Sequence, residues 1–371
     1  MYFLTINEAP EGVLKSQAFD VCRFLEDKFK IKVTLIALIS VRSFFKVRKE
    51  FKKNYHRTII LPGFPGINNW KKNIFTLKVL LFFKKNETIM ARGIFASWLA
   101  LNCKKATWVA YDGRAAYAAE WLEYFTGYST VIASYIKDLE KEVVDEVQGR
   151  LAVSKKLTEY WHNYLGCKTT DFVVIPCTMN SAINSSIDKE KINALRQTLG
   201  VGENEILIVT SGSNYAWHGI DLLYKHLAVA LSENKNIKLL MLSKPGAEKP
   251  LKETYPDRVL QEWVDYSRVM DYLRASDYAF FAQADSISNM PRTPVRFAEY
   301  MAAGLPSIVS NNVGDYSELV VQKNCGILLD TINWKNLQRP AFEDRLRISD
   351  LSETMFRKEN YTEQYRKLLN L

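Results

Sequence analysis

The segment Asn289-Met290-Pro291-Arg292-Thr293-Pro294-Val295-Arg296-Phe297-Ala298-Glu299-Tyr300-Met301-Ala302-Ala303-Gly304-Leu305-Pro306, followed by Ser307-Ile308-Val309, decides how this chain is read. Thr293 suits an N-cap and Pro294 the first helical position, so a helix is predicted over 294–303. Gly304 is placed to end it, and Pro306 precedes a β-branched run that reads as the next strand. A helix N-terminus at the carboxyl end of a strand presents unbonded N–H groups and a positive dipole end, a setting suited to phosphate. Arg296 and Glu299 stand three residues apart and share a helical face. An arginine there can grip a diphosphate while a carboxylate accepts hydrogen bonds from ribose hydroxyls. The same letters also fit an ordinary capped helix with a surface Arg–Glu pair.

Two further loops bear on that choice. A strand over 205–210 runs into Ser211-Gly212-Ser213-Asn214-Tyr215-Ala216-Trp217-His218-Gly219-Ile220-Asp221 and then a helix over 219–233. Small residues directly after the first strand of a Rossmann unit let the backbone approach a diphosphate. His218 would add a donor there or serve as a structural cap. The loop Glu8-Ala9-Pro10-Glu11-Gly12-Val13-Leu14-Lys15-Ser16-Gln17 likewise joins a first strand, 2–6, to a helix over 16–28. Its single Gly12 falls short of a dinucleotide fingerprint, which disfavours NAD and FAD. Neither a Walker A motif nor Ser-His-Asp spacing occurs, and no Asp-x-Asp is present to carry a sugar-nucleotide metal.

Between these loops, short apolar runs alternate with longer amphipathic ones, the pattern of β-α-β units around parallel sheets. Strands are predicted at 2–6, 32–40, 57–62, 87–91, 106–110, 150–154 and 172–175, then at 205–210, 237–243, 278–283, 307–310 and 326–329. A chain of 371 residues is too long for one ordinary α/β domain and comfortable for two. The seam is placed after Val174-Ile175-Pro176, where a polar stretch begins, giving domains over 1–178 and 179–350. A last helix over 352–369 carries Phe356, Tyr361, Tyr365 and Leu368, which suit packing on either domain.

Composition and charge narrow the class. With 47% hydrophobic and 25% charged residues and no low-complexity tract, the chain is globular. Five cysteines without a C-x-x-C pair and four dispersed histidines fit a reducing compartment better than a disulfide framework or zinc site. The net charge of +9 is concentrated: residues 1–85 hold 17 Lys/Arg against 6 Asp/Glu, whereas from 179 onward 23 face 24. Aromatics interleave with cations in Phe44-Phe45-Lys46-Val47-Arg48-Lys49-Glu50-Phe51-Lys52-Lys53, in Trp70-Lys71-Lys72 and over 75–85. Such stretches suit an interfacial helix on anionic lipid, or a core-packed helix with a solvated basic face. The N-terminus lacks the marks of a signal peptide, and Phe75 to Phe83 is roughly half of the ~20 residues a spanning helix needs. A cytoplasmic protein, peripheral at most to the membrane face, is the expectation. No nucleic-acid module is recognisable, which argues against a nucleic-acid partner.

With these residues assembled, the stretch from about 205 to 320 resembles the donor half of family-4 retaining glycosyltransferases. The match rests on Thr293-Pro294-Val295-Arg296-Phe297-Ala298-Glu299-Tyr300 with Gly304-Leu305-Pro306 and Gly314-Asp315. It is similar to the branch reading S-P-x-K-F-x-E-Y-x-A-x-G-L-P in capsule and cell-surface polysaccharide enzymes. Weaker similarity covers the Gly12 loop, Asp112-Gly113-Arg114, and Ala152-Val153-Ser154-Lys155-Lys156. The resemblance implies the GT-B fold: two Rossmann-like domains facing across a donor-binding cleft, and a last helix that in this fold usually crosses back to the first domain. It implies retaining transfer from a nucleotide-diphosphate sugar to a saccharide or lipid-linked acceptor, with no cofactor or metal. Arg296 and Glu299 would serve the chemistry. Gly12, Gly212, Ser213, His218, Asn289, Arg292, Thr293, Pro294 and Val295 would surround the donor, and Arg92, Asp112 and Arg114 would line the acceptor side. An internal Asp–Arg ion pair is the other reading of those last three. The chain departs from the family where many members carry a first glutamate, here Pro291, and where they carry Arg and Lys, here Ser213 and His218. Asn289 then stands as the candidate sugar contact. The same departures motivate an alternative, a catalytically silent nucleotide-sugar-binding protein; a nucleotide-sugar epimerase would want more catalytic carboxylates and histidines.

Overall fold

The computed structural model describes residues 1–84, 86–125, 130–212 and 220–371; Ser213 and His218 lie outside the described residues. The chain forms two compact units, Met1–Ser181 with Arg357–Leu371, and Ala182–Phe356.

In the first unit the strands are β1 (Tyr2–Ile6), β2 (Thr34–Ser40), β3 (Thr58–Gly63), β4 (Glu87–Arg92), β5 (Ala106–Gly113), β6 (Gly149–Ala152) and β7 (Val173–Val174). They make a seven-stranded sheet in the order β3-β2-β1-β4-β5-β6-β7, parallel throughout. Helical crossovers cover both faces of such a sheet, which is why its central strands are continuous apolar runs. Leu35 to Leu38 of β2 are wholly buried.

The second unit repeats the plan with β8 (Ile206–Ser211), β9 (Ile237–Leu242), β10 (Val259–Glu262), β11 (Tyr278–Phe281), β12 (Ser307–Val309) and β13 (Gly326–Leu328). Its order is β10-β9-β8-β11-β12-β13, again parallel. Ile208, Leu239, Phe280 and Ile308 pack with Leu227 and Trp334 in its core. In each unit the strand order reverses, between β1 and β4 and between β8 and β11. Crevices at the carboxyl ends of strands flanking such a reversal are where open α/β sheets bind ligands.

The structure departs from the sequence reading at three elements. Strand β10 was not anticipated, since Val259-Leu260-Gln261-Glu262 is short, carries one apolar pair and joins the sheet only at its edge against β9. The single helix expected over 352–369 is two, Phe342–Phe356 and Thr362–Leu369, with a 3-10 turn at Lys358–Tyr361 between them. At that break the chain leaves the second unit for the first, and the buried Lys358 donates to the Met179 carbonyl at 2.8 Å. The helix expected over 16–28 opens with a π-turn, Lys15–Phe19, before regular α-helix from Asp20 to Phe29.

The final helix belongs to the first unit. Trp108 Nε1 on β5 donates to the Leu368 carbonyl at 2.9 Å, and Tyr365 packs on Phe24 with ring centroids 5.3 Å apart. Gly149 on β6 has no room for a side chain, because a Cβ there would collide with the same Leu368 carbonyl.

Candidate active site

At the reversal in the second unit, Ser211 ends β8 and Phe281 ends β11, and the helix Val295–Ala302 faces both. Arg296, in its first turn, sends Nη1 to the Ser211 carbonyl at 2.7 Å and lays its guanidinium 4.3 Å from the Phe281 ring centroid. Tyr300 lies one turn on. Its hydroxyl accepts from Ser211 N at 3.1 Å and shares a hydrogen with Ser211 Oγ at 2.8 Å. The i, i+4 pair therefore clamps the turn after β8 against the helix. Gly212 follows with φ +123°, and a Cβ there would stand 2.9 Å from Arg296 Nη1. The backbone angle calls for glycine, and the approach of the arginine favours it as well.

Glu299, also half-buried, accepts from the Tyr266 hydroxyl at 2.8 Å. Tyr266 begins the helix Tyr266–Ala275, which follows the unanticipated β10. Burial pushes the Arg296 guanidinium below its ordinary value, an effect partly offset by Tyr300 and Glu299. Burial likewise pushes the Glu299 carboxyl up, against the Tyr266 hydrogen bond and the Arg296 charge.

The approach to this helix corrects the predicted cap. Pro294, expected as the first helical residue, is the N-cap, with φ −63° and ψ 132°, and helix begins at Val295. The extended ψ delays the turn by one residue. Thr293 therefore gives no capping bond; its buried Oγ1 has no hydrogen-bond partner in the protein. Gly314 packs so closely on this segment that a Cβ would strike the Arg292 carbonyl. Asn289, taken as a candidate sugar contact, is wholly buried and donates from Nδ2 to the Ala284 carbonyl at 3.0 Å. That bond runs inside its own loop, so Asn289 holds the shape of the approach.

In the first unit, Arg92 ends β4 and Asp112 lies near the end of β5, with Arg114 just beyond. Arg92 binds Glu8 at 2.9 Å and Asp112 at 3.2 Å, and Arg114 binds the other Asp112 oxygen at 2.5 Å. Arg114 also donates to Gln17 Oε1 at 3.1 Å, and Gln17 Nε2 in turn donates to the Thr178 carbonyl at 2.6 Å. Asp112 is wholly buried with both oxygens engaged, so the internal ion-pair reading describes its contacts. Burial works against the charge on Arg92 and Arg114, but Glu8 and Asp112 outweigh it at Arg92 and Asp112 does so at Arg114, and both stay above their ordinary value. Gly12, with φ +57°, turns the loop after β1, and a Cβ there would meet open space. Its left-handed φ is the conformation that favours glycine at this turn. Close by, Gly93 (φ +77°) leaves room for the Tyr117 hydroxyl. The helix that Tyr117 begins is capped from another element: Glu140 accepts from Tyr117 N at 3.2 Å, Ala118 N at 2.8 Å and the Tyr160 hydroxyl at 3.2 Å.

Among the described residues, no group of three or more His, Cys, Asp or Glu is placed to hold a metal ion, and no helix is long and apolar enough to cross a membrane.

Residues 191–341, most of the second unit, match the sequence family described as Glycosyl transferases group 1. Solved structures match over the whole chain. The Anabaena protein HepE in complex with UDP superimposes with a TM-score of 0.70 at 12% identity, covering 100% of both chains. Sucrose-phosphate synthase from Thermosynechococcus elongatus gives 0.73 at 15% identity, covering 100% of this chain and 98% of that one. The chain is a GT-B glycosyltransferase. WaaG, a glycosyltransferase of lipopolysaccharide biosynthesis, also shares this enzyme's fold, with a TM-score of 0.62 at 13% identity over 100% of this chain and 94% of its own. No curated protein matches the glycosyltransferase in sequence.

Tyr300, Ser211, Glu8 and Gln17 stand within the segments that the sequence marks, but their letters alone give them no role. Tyr266 and Phe281 carried no signal, because their place beside Glu299 and Arg296 follows from sheet order.

Proposed function

We propose that this glycosyltransferase moves a sugar, with retention at the anomeric carbon, from a nucleotide-diphosphate sugar to a saccharide or lipid-linked saccharide in surface-polysaccharide synthesis. The observation that carries the reading is Arg296, fixed in the first turn of Val295–Ala302 against the Ser211–Gly212 turn at the strand-order reversal. The first N–H groups of a helix lack intrahelical acceptors and sit at the positive end of its dipole, so a diphosphate is stabilised there. Only one N–H is needed for the Ser211 carbonyl, and a guanidinium has five. Arg296, with Arg292, would neutralise the charge that develops on the diphosphate as the glycosidic bond to it breaks. Glu299 would accept from the ribose hydroxyls. The leaving diphosphate would take the acceptor's proton as the new bond forms on the same face, so no separate base is required. The Asp112 cluster would shape the acceptor side through Arg92 and Arg114. We further propose metal-independent transfer and peripheral contact of the basic first unit with anionic lipid.

Since the neighbour HepE binds UDP, uridine diphosphate is the first nucleotide to test, against GDP and ADP. Calorimetry should show Arg296→Ala weakening nucleoside-diphosphate binding by about 1.5–3 kcal/mol, the range for hydrogen bonds to charged groups. Unchanged affinity in a folded variant would remove the diphosphate from this helix. Turnover should survive excess EDTA; loss restored by magnesium or manganese would refute metal independence.

A further inference from the structure

The helix Asn73–Leu80 and the turn that follows it are apolar on two opposite faces. Leu77 and Leu81, four residues apart, are the apolar part of the buried face, one turn after the buried, hydrogen-bonded Asn73. On the other side Phe75, Val79, Phe82 and Phe83 are 67%, 77%, 62% and 91% exposed, at the i, i+4, i+7, i+8 spacing of a second stripe. A surface helix of a soluble protein normally turns polar residues outward, and a contiguous exposed apolar stripe marks an interaction surface. Phe82 and Phe83 stack edge to face at 4.9 Å, so the stripe ends in a preformed aromatic wedge.

Charge names the partner. Residues 70–84 contain Lys71, Lys72, Lys78 and Lys84 and no acidic residue. Lys72, Lys78 and Lys84 are exposed, and Lys105 stands 5.4 Å from the Phe82 ring. The second basic segment behaves differently. In the helix Phe44–Asn54 only Phe51 is buried, and Lys46, Lys49, Lys52 and Lys53 are exposed with Phe45 as the outward aromatic. That helix is a solvated basic face which attracts anions at a distance. The stripe at 75–83 has the apolar groups needed to enter a hydrocarbon boundary, with lysines around it to meet headgroups.

We propose that Phe75, Val79, Phe82 and Phe83 insert into the interface of an anionic bilayer and anchor the first unit there, while Phe44–Asn54 supplies longer-range attraction. The inference rests on the membrane contact proposed above and names the element that makes it.

The test is co-sedimentation with phosphatidylcholine vesicles, with and without phosphatidylglycerol, at low salt and at about 0.5 M salt, where screening shortens to on the order of 4 Å. Wild type should bind the phosphatidylglycerol vesicles and retain part of that binding in high salt, because apolar insertion is not screened. The variant Phe75→Ser/Val79→Ser/Phe82→Ser/Phe83→Ser should lose at least about tenfold in partitioning at both salt levels, since each apolar side chain leaving water contributes that much when buried. Phe83→Ser alone should give a smaller loss of the same kind. Binding by the fourfold variant equal to wild type, or wild-type binding that vanishes in high salt, overturns insertion. So does a wild type that ignores vesicles and sediments as a dimer which the fourfold variant dissociates, for the stripe is then a self-interface. Nucleotide affinity, measured on the same variants, should be unchanged. That readout shows the fold intact and lets the donor-site reading stand or fall on its own.

Discussion

Gly212→Ala is the substitution through which the donor site can be tested most sharply. The residue has φ +123°, and the added methyl would stand 2.9 Å from Arg296 Nη1. Two costs follow, and they fall on different quantities. Holding a side chain in that backbone region costs about 1–3 kcal/mol, which lowers the stability of the turn. Relieving the contact shifts the guanidinium, the mobile end of its side chain, and loosens its 2.7 Å bond to the Ser211 carbonyl, a bond of the charged class valued at about 1.5–3 kcal/mol when lost entirely. That second cost falls on nucleotide binding, because it displaces the arginine assigned to the diphosphate. Gly212→Ala should therefore weaken nucleoside-diphosphate binding by about tenfold or more, each tenfold being about 1.4 kcal/mol. Binding of the free nucleoside should change little. A double-mutant cycle by calorimetry separates the causes. In an Arg296→Ala background the glycine substitution should have little left to remove, giving a coupling of roughly 1–2 kcal/mol. Additive losses would show that Gly212 acts through its backbone alone, and would refute the link from this turn to Arg296.

Two other outcomes are expected. Glu299→Gln should impair binding of ribonucleotides more than of 2′,3′-dideoxy analogues, and equal losses for both would assign Glu299 to holding Tyr266 instead. In the first unit, burial pushes the Glu140 carboxyl up to about 8 from an ordinary 4.5, against the hydrogen bonds from Ala118, Tyr117 and Tyr160. A folded-state value raised in this way means stability fully present below the unfolded value and lost as pH rises through about 8. Denaturant unfolding should thus show stability falling between about pH 5 and pH 8, by up to about 1.4 kcal/mol per unit. Glu140→Gln should flatten that slope, and parallel curves for the two proteins would refute the assignment.

Much of this architecture was legible because parallel strands buried on both faces write themselves as apolar runs. Leu35 to Leu38 and Leu207 to Val209 could be placed from their letters, and the helix holding Arg296 and Glu299 from its Pro and Gly punctuation. The cap could not, because Thr293 and Pro294 satisfy the rule in either register and only the extended ψ of Pro294 decides between them. Strand β10 was silent because an edge strand needs only one partner and little apolar surface. Periodicity also ran through the break at Lys358–Tyr361, where Arg357 turns extended and Lys358 bonds to Met179, far away in sequence. For Asp112 the letters allowed two readings, and burial of the whole carboxylate between Arg92 and Arg114 describes the one made by its contacts.

The return of the last helix to the first unit has a consequence for synthesis. Ala182–Phe356 is one uninterrupted stretch and contains every strand of its own sheet. The first unit lacks residues 357–371 until everything between has been translated, so Trp108 has no Leu368 carbonyl to meet and Gly149 lies open. Domains usually fold in the order in which they leave the ribosome. Here the order of completion is reversed: the second unit can close while the earlier half still waits, with the β5–β6 side of its sheet lacking its last helix. A stall anywhere between 182 and 356 would leave the β5–β6 side without the helix that covers it, so truncated products should carry an incomplete first unit.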